Sequence, residues 1–408
     1  MSGMSAVRIG VLVLCALALA GCDDDDDVQF ASYDVPNSVG IADLDGDGVR
    51  DLVVAATRVN YGAADPGFLA VLLQDPVTPG SFLISQETGA GYNPSTLALD
   101  DLDGDANPDV VVANAGSGDV SVFLHDAAAP GTFLAATFID TGGSPLDVAT
   151  GDIDGDGAVD VAIASFEADG SVYVAYQNPA VPGEFGAPVR LAVDRPVTSV
   201  AIGDVDGDLR EDLVATVQNS DGSDGAVAVL IQDPGVPRQF ATPVEYLAGT
   251  EPLSVKIIDL DTDGNPDLVL VNEGPGLQGQ GNAGVSVLLQ DPAVPGAFLA
   301  PVTYAAGFRP VHLAIGDLDG DARPDLAVAD AGRRRGAVTV LLQDPARGGV
   351  FLTATSYPGF YGPLGVAIGD LNDDGLPDIA AADGYRATVL YQQAGSPGVF
   401  ASAIPVGD

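Results

Sequence analysis

A nine-residue stretch rich in aspartate occurs seven times in the chain. Its first copy, Asp43-Leu44-Asp45-Gly46-Asp47-Gly48-Val49-Arg50-Asp51, has acids at positions 1, 3, 5 and 9. Carboxylates at this spacing can wrap around one hard cation, and the backbone carbonyl of position 7 can add another oxygen. Ca²⁺ accepts six to eight oxygen ligands in flexible geometry. The stretch therefore predicts a calcium-binding loop.

The acids recur at the same four positions in all seven loops. Of these 28 positions, 27 are Asp, and the exception is Asn372, whose amide still offers an oxygen. Aspartate and glycine are also common in solvated turns, but seven copies in register favour metal binding. The predicted ligands of up to seven structural Ca²⁺ ions are Asp43, Asp45, Asp47 and Asp51; Asp101, Asp103, Asp105 and Asp109; Asp152, Asp154, Asp156 and Asp160; Asp204, Asp206, Asp208 and Asp212; Asp259, Asp261, Asp263 and Asp267; Asp317, Asp319, Asp321 and Asp325; and Asp370, Asn372, Asp374 and Asp378.

The residues that flank the loops predict strands and not helices. An EF-hand needs two helices and a bidentate Glu at position 12, whereas position 12 here is always apolar, as in Val54 and Ala381. Short apolar runs precede and follow each loop, for example Val200-Ala201-Ile202-Gly203 and Leu268-Val269-Leu270-Val271. Runs of this length and composition are typical of strands. Each loop is therefore expected to join two antiparallel strands.

The spacing of the loops indicates a repeat architecture. Successive loops begin 58, 51, 52, 55, 58 and 53 residues apart. Each unit is predicted to hold four strands, with a proline two to four residues before the first strand and a phenylalanine at the start of the fourth. Seven units of four strands predict an all-β fold, a seven-bladed β-propeller over residues 28–408. The predicted phenylalanines are Phe82, Phe133, Phe185, Phe240, Phe298, Phe351 and Phe400, and the prolines are Pro94, Pro145, Pro196, Pro252, Pro310 and Pro363.

Both ends of the repeat region resemble a fourth strand. The segments are Phe30-Ala31-Ser32-Tyr33-Asp34-Val35 and Phe400-Ala401-Ser402-Ala403-Ile404-Pro405. Eight such segments for seven blades mean that one end can complete the last blade and close the ring, which would remove open sheet edges. The sequence leaves open which end does so.

Residues 1–22 have the features of an export signal. Arg8 precedes an apolar stretch from Ile9 to Ala20, and the segment ends Leu19-Ala20-Gly21-Cys22. This ending resembles a bacterial lipobox, which implies a lipoprotein signal peptide with lipidation at Cys22 and an exported protein anchored to the bacterial cell envelope or surface. Residues 23–27 are five aspartates, expected to form a solvated spacer.

The net charge excludes some partners. The chain has 58 acidic and 15 basic residues, a formal net charge of −43, whereas nucleic-acid binding calls for a basic patch. No nucleic-acid partner is therefore expected. A monomer that binds a protein or glycan ligand is the expected form.

The aspartate loops and the phenylalanine-opened strands resemble those of the bacterial FG-GAP/VCBS repeat family, whose blades are similar to those of the integrin α-chain propeller. The resemblance covers essentially the whole chain after residue 27. It implies a calcium-binding propeller that acts as a binding or adhesion scaffold. This chain departs from the pattern at position 6, usually Gly, where loops 2, 4 and 6 have Ala106, Leu209 and Ala322. Loops 1, 3 and 7 are accordingly predicted to be the best sites, loop 5 close behind, and loop 4 the weakest.

The sequence shows no catalytic constellation, so no enzyme is expected. His125 is predicted to be a surface turn residue. The alternative is a polysaccharide lyase or hydrolase that works at the mouth of the propeller channel. It would use His312 together with Asp147, and this hypothesis requires the two groups to converge.

Overall fold

A computed structural model describes residues 34–58, 66–167, 170–219, 223–274, 283–332 and 335–406. The predicted lipidation site Cys22 and the spacer 23–27 lie outside these residues, so both stay predictions. In the described part of the chain, no helix is long and apolar enough to span a bilayer.

The described chain forms seven antiparallel sheets of four strands, and each sheet takes its strands in chain order. In blades 1 to 7 these strands are β1 (Asp34–Ala42), β2 (Asp51–Arg58), β3 (Pro66–Gln74) and β4 (Phe82–Tyr92); β5 (Pro94–Asp100), β6 (Asp109–Asn114), β7 (Asp119–Phe123) and β8 (Thr137–Asp140); β9 (Pro145–Gly151), β10 (Asp160–Ser165), β11 (Ser171–Ala175) and β12 (Val189–Ala192); β13 (Val197–Gly203), β14 (Asp212–Val217), β15 (Asp224–Leu230) and β16 (Val244–Thr250); β17 (Pro252–Ile258), β18 (Asp267–Asn272), β19 (Gly284–Leu288) and β20 (Val302–Tyr304); β21 (Pro310–Gly316), β22 (Asp325–Asp330), β23 (Gly336–Leu341) and β24 (Thr355–Phe360); and β25 (Pro363–Gly369), β26 (Asp378–Asp383), β27 (Arg386–Leu390) and β28 (Ile404–Pro405).

The seven sheets are the blades of a closed ring. The first strand of every blade contacts the first strand of the next, and β25 of blade 7 contacts β1 of blade 1. The second strands are the most buried part, because every residue of β6, β10, β14, β18, β22 and β26 is buried. The hydrophobic core lies between blades, as where Val39 and Leu52 of blade 1 pack with Leu371 and Ala380 of blade 7. The predicted seven-bladed propeller is confirmed.

The prolines lie closer to the first strands than predicted. Five of the six open the strand itself, and Pro196 directly precedes β13. The strand register shifts just after them, for example between Pro252 and Ser254 and between Pro310 and His312. Proline has no N–H to give to a ladder, so it is tolerated at the first residue of a strand or beside a bulge.

The phenylalanines open the fourth strand only in blade 1. In the other six blades each phenylalanine forms an isolated bridge with the residue that follows the third strand by two positions, such as Gln232 with Phe240. The fourth strand itself begins several residues later, for example at Val244. The prediction of Phe-opened strands is therefore wrong for six blades, because a side chain that anchors a turn gives the same apolar signal as the start of a strand.

The C-terminal segment completes blade 7. Ile404 pairs with Val389 of β27, whereas Asp34 and Val35 belong to β1 and pair with β2. Residues 30–33 lie outside the described residues. Blades 7 and 1 meet through side-chain packing and through the Tyr391 hydroxyl, which donates to the Gly80 carbonyl at 3.1 Å.

A column of six glutamines and one histidine lies beneath the loops, and three of its members donate a hydrogen bond to the previous blade. Its members lie at the end of the third strand in blade 1 and two residues after it in the other blades. All are buried: Gln74, His125, Gln177, Gln232, Gln290, Gln343 and Gln392. In blade 4, Gln232 Nε2 donates to the carbonyl of Glu211 in its own loop at 2.7 Å and to that of Ile153 in the previous blade at 2.6 Å. Gln290 and His125 reach the previous blade in the same way.

We expect Gln232→Leu to lower the free energy of unfolding by about 2–4 kcal/mol, because two buried carbonyls lose their donor. Urea unfolding measures this change. Gln393→Leu is the matched control, since Gln393 is exposed and its side chain donates one hydrogen bond, to the Phe400 carbonyl. Equal effects of the two substitutions would contradict a linking role for the buried column.

Candidate metal centres

The aspartate at position 9 is the buried floor of each loop. It opens the second strand and pairs with the last residue of the first strand, as Asp51 pairs with Ala42. One carboxylate oxygen accepts the N–H of position 2, and the other accepts the N–H of the glutamine or histidine in the column. Across the seven loops these distances are 2.6–3.2 Å. The position-9 side chains are at most 1% exposed.

Positions 1, 3 and 5 are held by backbone hydrogen bonds that repeat in all seven loops. Position 1 accepts the N–H of position 6 at 2.8–3.1 Å. Position 3 accepts the N–H of position 5 at 3.0–3.2 Å. Position 5 accepts the N–H of position 7 at 2.8–3.0 Å. Each of these carboxylates, or the amide of Asn372, is therefore fixed by the fold of its own loop.

The carboxylates converge on one point in each of the first five loops. In loops 1 to 4, one oxygen from each of positions 1, 3 and 9 lies within 4.8 Å of the others, and in loop 5 the converging positions are 1, 3 and 5. In loop 3, Asp152 Oδ1 is buried and has no hydrogen-bond partner in the described structure. A buried oxygen of this kind, inside an all-oxygen donor set, fits a hard cation such as Ca²⁺.

Burial and mutual repulsion make these carboxyls hard to ionise without a cation. Removal from water raises the pKa of the position-9 carboxyls, and the acids at positions 3 and 5 of most loops raise it further. The pKa rises to about 6 for Asp51, Asp109, Asp267 and Asp325, and to about 7 for Asp160, Asp212 and Asp378. A bound cation would offset this cost because it attracts the ionised form.

Position 6 takes the left-handed backbone conformation in every loop. Its φ is 69° at Ala106 and Leu209 and 66° at Ala322, whereas the other four loops have glycine there. A side chain in this conformation costs roughly 1–2 kcal/mol. Loop 4 nevertheless brings Asp204, Asp206 and Asp212 together like its neighbours. Leucine at position 6 therefore strains the backbone, but the three carboxylates of loop 4 still converge.

Loop 3 differs from the other loops through an arginine of the next blade. In six blades, the residue two positions before the anchoring phenylalanine is a glycine with positive φ, and in blade 4 it is Arg238, with a φ of 66°. Its guanidinium forms an ion pair with Asp154 and lies 3.8 Å from Asp156. It also stacks on the Tyr176 ring at 4.3 Å. The positive charge of Arg238 would therefore compete with a bound cation at loop 3. The sequence of loop 3 by itself predicts one of the best cation sites.

The two histidines do not form a catalytic site. His125 is buried, not a surface turn residue, and its Nε2 donates to the Leu44 carbonyl at 3.2 Å. Asp147 of blade 3 accepts from the Ser199 hydroxyl at 2.5 Å, and His312 of blade 6 accepts the Val366 N–H at 3.3 Å. Asp147 is therefore bonded to blade 4 and His312 to blade 7. The two residues that the enzyme hypothesis requires lie three blades apart.

The raised pKa values predict an unusual pH dependence for the metal-free protein. Its position-9 carboxyls keep their protons up to about pH 6–7, whereas an unfolded chain loses them near pH 4. Unfolding then releases protons, so stability falls as pH rises from about 4 to about 7. We expect the metal-stripped protein to be more stable to urea at pH 5 than at pH 7.5. Saturating Ca²⁺ should stabilise it more at pH 7.5. The opposite order in metal-free buffer would contradict this electrostatic account.

Arg238→Gly is expected to tighten cation binding at loop 3 about tenfold or more, because it removes a positive charge within 4 Å of two ligands. Tb³⁺ is a suitable Ca²⁺ substitute, since its emission can be excited through Tyr176, and Tyr176→Phe identifies the contribution of loop 3. Arg347→Gly is the control, as Arg347 lies in the corresponding turn of blade 6 and pairs with Asp344, which is not a predicted ligand. An equal gain in both variants would show a general charge effect instead.

Comparisons with known proteins agree with the fold. Residues 43–112, 101–163, 154–215, 259–328 and 317–381 match the FG-GAP-like repeat, and these segments cover more than half of the chain. A search of curated proteins finds no match. The BP39L lectin from Burkholderia pseudomallei is similar in structure, with a TM-score of 0.60, 17% identity, and coverage of 91% of this chain and 99% of the lectin.

A 6-phosphogluconolactonase-like protein from Bacteroides fragilis is similar to the same degree. Its TM-score is 0.60 at 15% identity, and the alignment covers 87% of this chain and 95% of that protein. Identities this low show the propeller fold and nothing of the chemistry. The repeats themselves are decisive: the chain belongs to the FG-GAP-like repeat family.

Proposed function

We propose that this protein is a calcium-binding β-propeller that acts as a non-enzymatic binding or adhesion scaffold at a bacterial cell envelope. The observation that carries the proposal is the prefolded donor set that recurs in the seven loops, with the same backbone hydrogen bonds each time. Ca²⁺ has a structural role here, because each loop joins two strands of one blade and contacts the next blade.

The position of the loops explains why a cation would stabilise the whole ring. In loops 1, 3 and 4, the position-2 carbonyl accepts a hydrogen bond from the column residue of the next blade, as Val205 accepts from Gln290 at 2.9 Å. Ordering a loop therefore also orders the contact between blades. A ring of rigid blades with solvated loops on its faces suits recognition of a protein or glycan partner, and the lectin of similar fold is a precedent for glycans.

Calcium removal tests the proposal. With a Kd of about 10⁻⁴ M and roughly 2 mM Ca²⁺, each site adds about 1.8 kcal/mol, or on the order of 12 kcal/mol over seven sites. We expect excess chelator to lower the melting temperature by roughly 10 °C or more, and re-addition of Ca²⁺ to restore it. Mg²⁺ at the same concentration is the control, because it prefers a smaller octahedral site. A melting temperature that chelator leaves unchanged would refute a structural role for the metal.

The envelope location rests on the Leu19-Ala20-Gly21-Cys22 ending and on the acidic spacer that follows it. We expect the protein to partition into the detergent phase after phase separation of cell extracts. Cys22→Ala should move it out of that phase, and Cys15→Ala, in the predicted signal, should not. Detergent partitioning that survives Cys22→Ala would exclude lipidation at this residue.

The polysaccharide-active enzyme is the alternative function. No observation on the described residues favours it, since His312 and Asp147 do not converge. The phosphogluconolactonase-like protein of similar fold supports it only at the level of fold.

A further inference from the structure

The face of the ring opposite the aspartate loops, here called the far face, carries aromatic residues on one side only. Each first strand ends at its loop, so the residues just before its entry proline lie on the far face. The residue two positions before that proline differs between blades. In blades 1 to 7 it is Asp34, Tyr92, Gly143, Asp194, Thr250, Phe308 and Tyr361. The three aromatic residues therefore belong to blades 2, 6 and 7, on both sides of blade 1 in the closed ring.

The chain enters the ring on this side of the far face. Asp34 is the first residue of β1, and residues 23–33 join it to Cys22, the predicted lipidation site. A segment of this length spans at most about 40 Å when fully extended. A lipid anchor at Cys22 would therefore hold blades 6, 7, 1 and 2 of the far face nearest to the membrane.

The three aromatic rings are at the surface, although their backbone is fixed. Tyr92 and Tyr361 are each 45% exposed, and Phe308 is 37% exposed. Each of the three backbone N–H groups donates to a side-chain oxygen, at 3.0 Å before blades 2 and 6 and at 2.6 Å before blade 7. Partly exposed aromatic side chains in a row are typical of proteins that rest at the membrane–water interface.

Basic side chains lie beside these rings on blades 6 and 7. The Tyr361 ring packs edge-on against Tyr385 at a centroid distance of 6.0 Å, and the Arg386 guanidinium lies 5.8 Å from its centre. The turn of blade 6 that corresponds to Tyr385 and Arg386 ends at Arg335, which is exposed. The same ends of blades 3, 4 and 5 carry the acids Glu167, Asp224 and Glu273. Guanidinium groups that can reach lipid phosphates are therefore next to the aromatic side of the far face.

The acids of the loops favour the same orientation. The opposite face holds 27 of the 58 acidic residues of the chain. Lipid phosphates repel such a face, whereas they attract the arginines of blades 6 and 7. The charge distribution and the point of chain entry therefore both direct the far face towards the lipid.

We propose that the far face rests on the lipid surface to which the protein is tethered, with Tyr92, Phe308 and Tyr361 at the headgroup boundary and Arg335 and Arg386 against lipid phosphates. This inference depends on the lipid anchor of the proposed function and adds an orientation to it. The loop face then points away from the membrane and stays open to a partner.

A single tryptophan tests this orientation, because the chain has none of its own. The full-length, calcium-loaded protein is reconstituted into phosphatidylcholine vesicles whose brominated acyl chains quench tryptophan on contact. We expect Tyr361→Trp to lose roughly half of its emission relative to unbrominated vesicles, since its ring lies at the headgroup boundary. Val77→Trp is the control, because Val77 is 87% exposed in the turn after β3, on the loop side, and its emission should not change.

Flotation of the vesicles separates this inference from the anchor itself. Protein that floats with the vesicles but shows no quenching at Tyr361→Trp, or equal quenching at Val77→Trp, would overturn the proposed orientation alone. Protein that does not float would contradict the lipid anchor, and the orientation with it.

A double substitution tests the other two aromatic residues. In the Tyr361→Trp protein, Tyr92→Ser/Phe308→Ser is expected to reduce the quenching about twofold, because less aromatic area remains at the boundary. Val77→Ser/Val294→Ser is the matched control, since both valines are exposed turn residues on the loop side. Thermal melts with Ca²⁺ verify that each variant is folded. Quenching that the far-face pair leaves unchanged would refute the role of Tyr92 and Phe308.

Discussion

The structure depends on a buried carboxylate at the start of every second strand. The position-9 aspartate accepts backbone N–H groups with both oxygens, and thereby joins the loop, the second strand and the segment after the third strand. Those hydrogen bonds fix the geometry of the blade, yet the charge that accepts them is removed from water. The other acids of the loop add repulsion to that cost. A cation placed among them would relieve both the desolvation cost and the repulsion, so that folding and metal binding would be coupled.

Much of this arrangement can be predicted from the sequence because it is local and repeated. The spacing of the acids predicts the loop and its candidate metal ligands. The flanking apolar runs predict the strands, and their repetition predicts the propeller. Seven copies turn a weak local signal into a strong one. The glutamine column was visible as a recurring residue, but its hydrogen bonds to two blades were not, since they depend on which chain segments become neighbours in space. His125 was misplaced for the same reason.

The contacts between units lie beyond local patterns. Arg238 occupies an ordinary turn position in its own repeat, and only the ring geometry brings its guanidinium to Asp154 of the previous repeat. Likewise, a phenylalanine that anchors a turn looks in sequence like one that begins a strand. The ranking of loop 3 from its own nine residues therefore omitted the cation that comes from another blade. In repeat proteins each unit contacts mainly its neighbours. Residues that differ from one unit to the next, such as Arg238, therefore exert their effect at the contacts between units.

The order of strands within the blades also gives the ring an uneven response to force. The chain enters at β1, the innermost strand of blade 1, and leaves at β28, a two-residue strand at the outer rim of blade 7. A pull on the C-terminus first removes a short peripheral strand and leaves the ring closed. A pull on the N-terminus, where a membrane tether would act, loads a nine-residue strand that also supports blade 7. Tension from such a tether would therefore be borne by the centre of the ring, and release of β1 would open the whole circle at once.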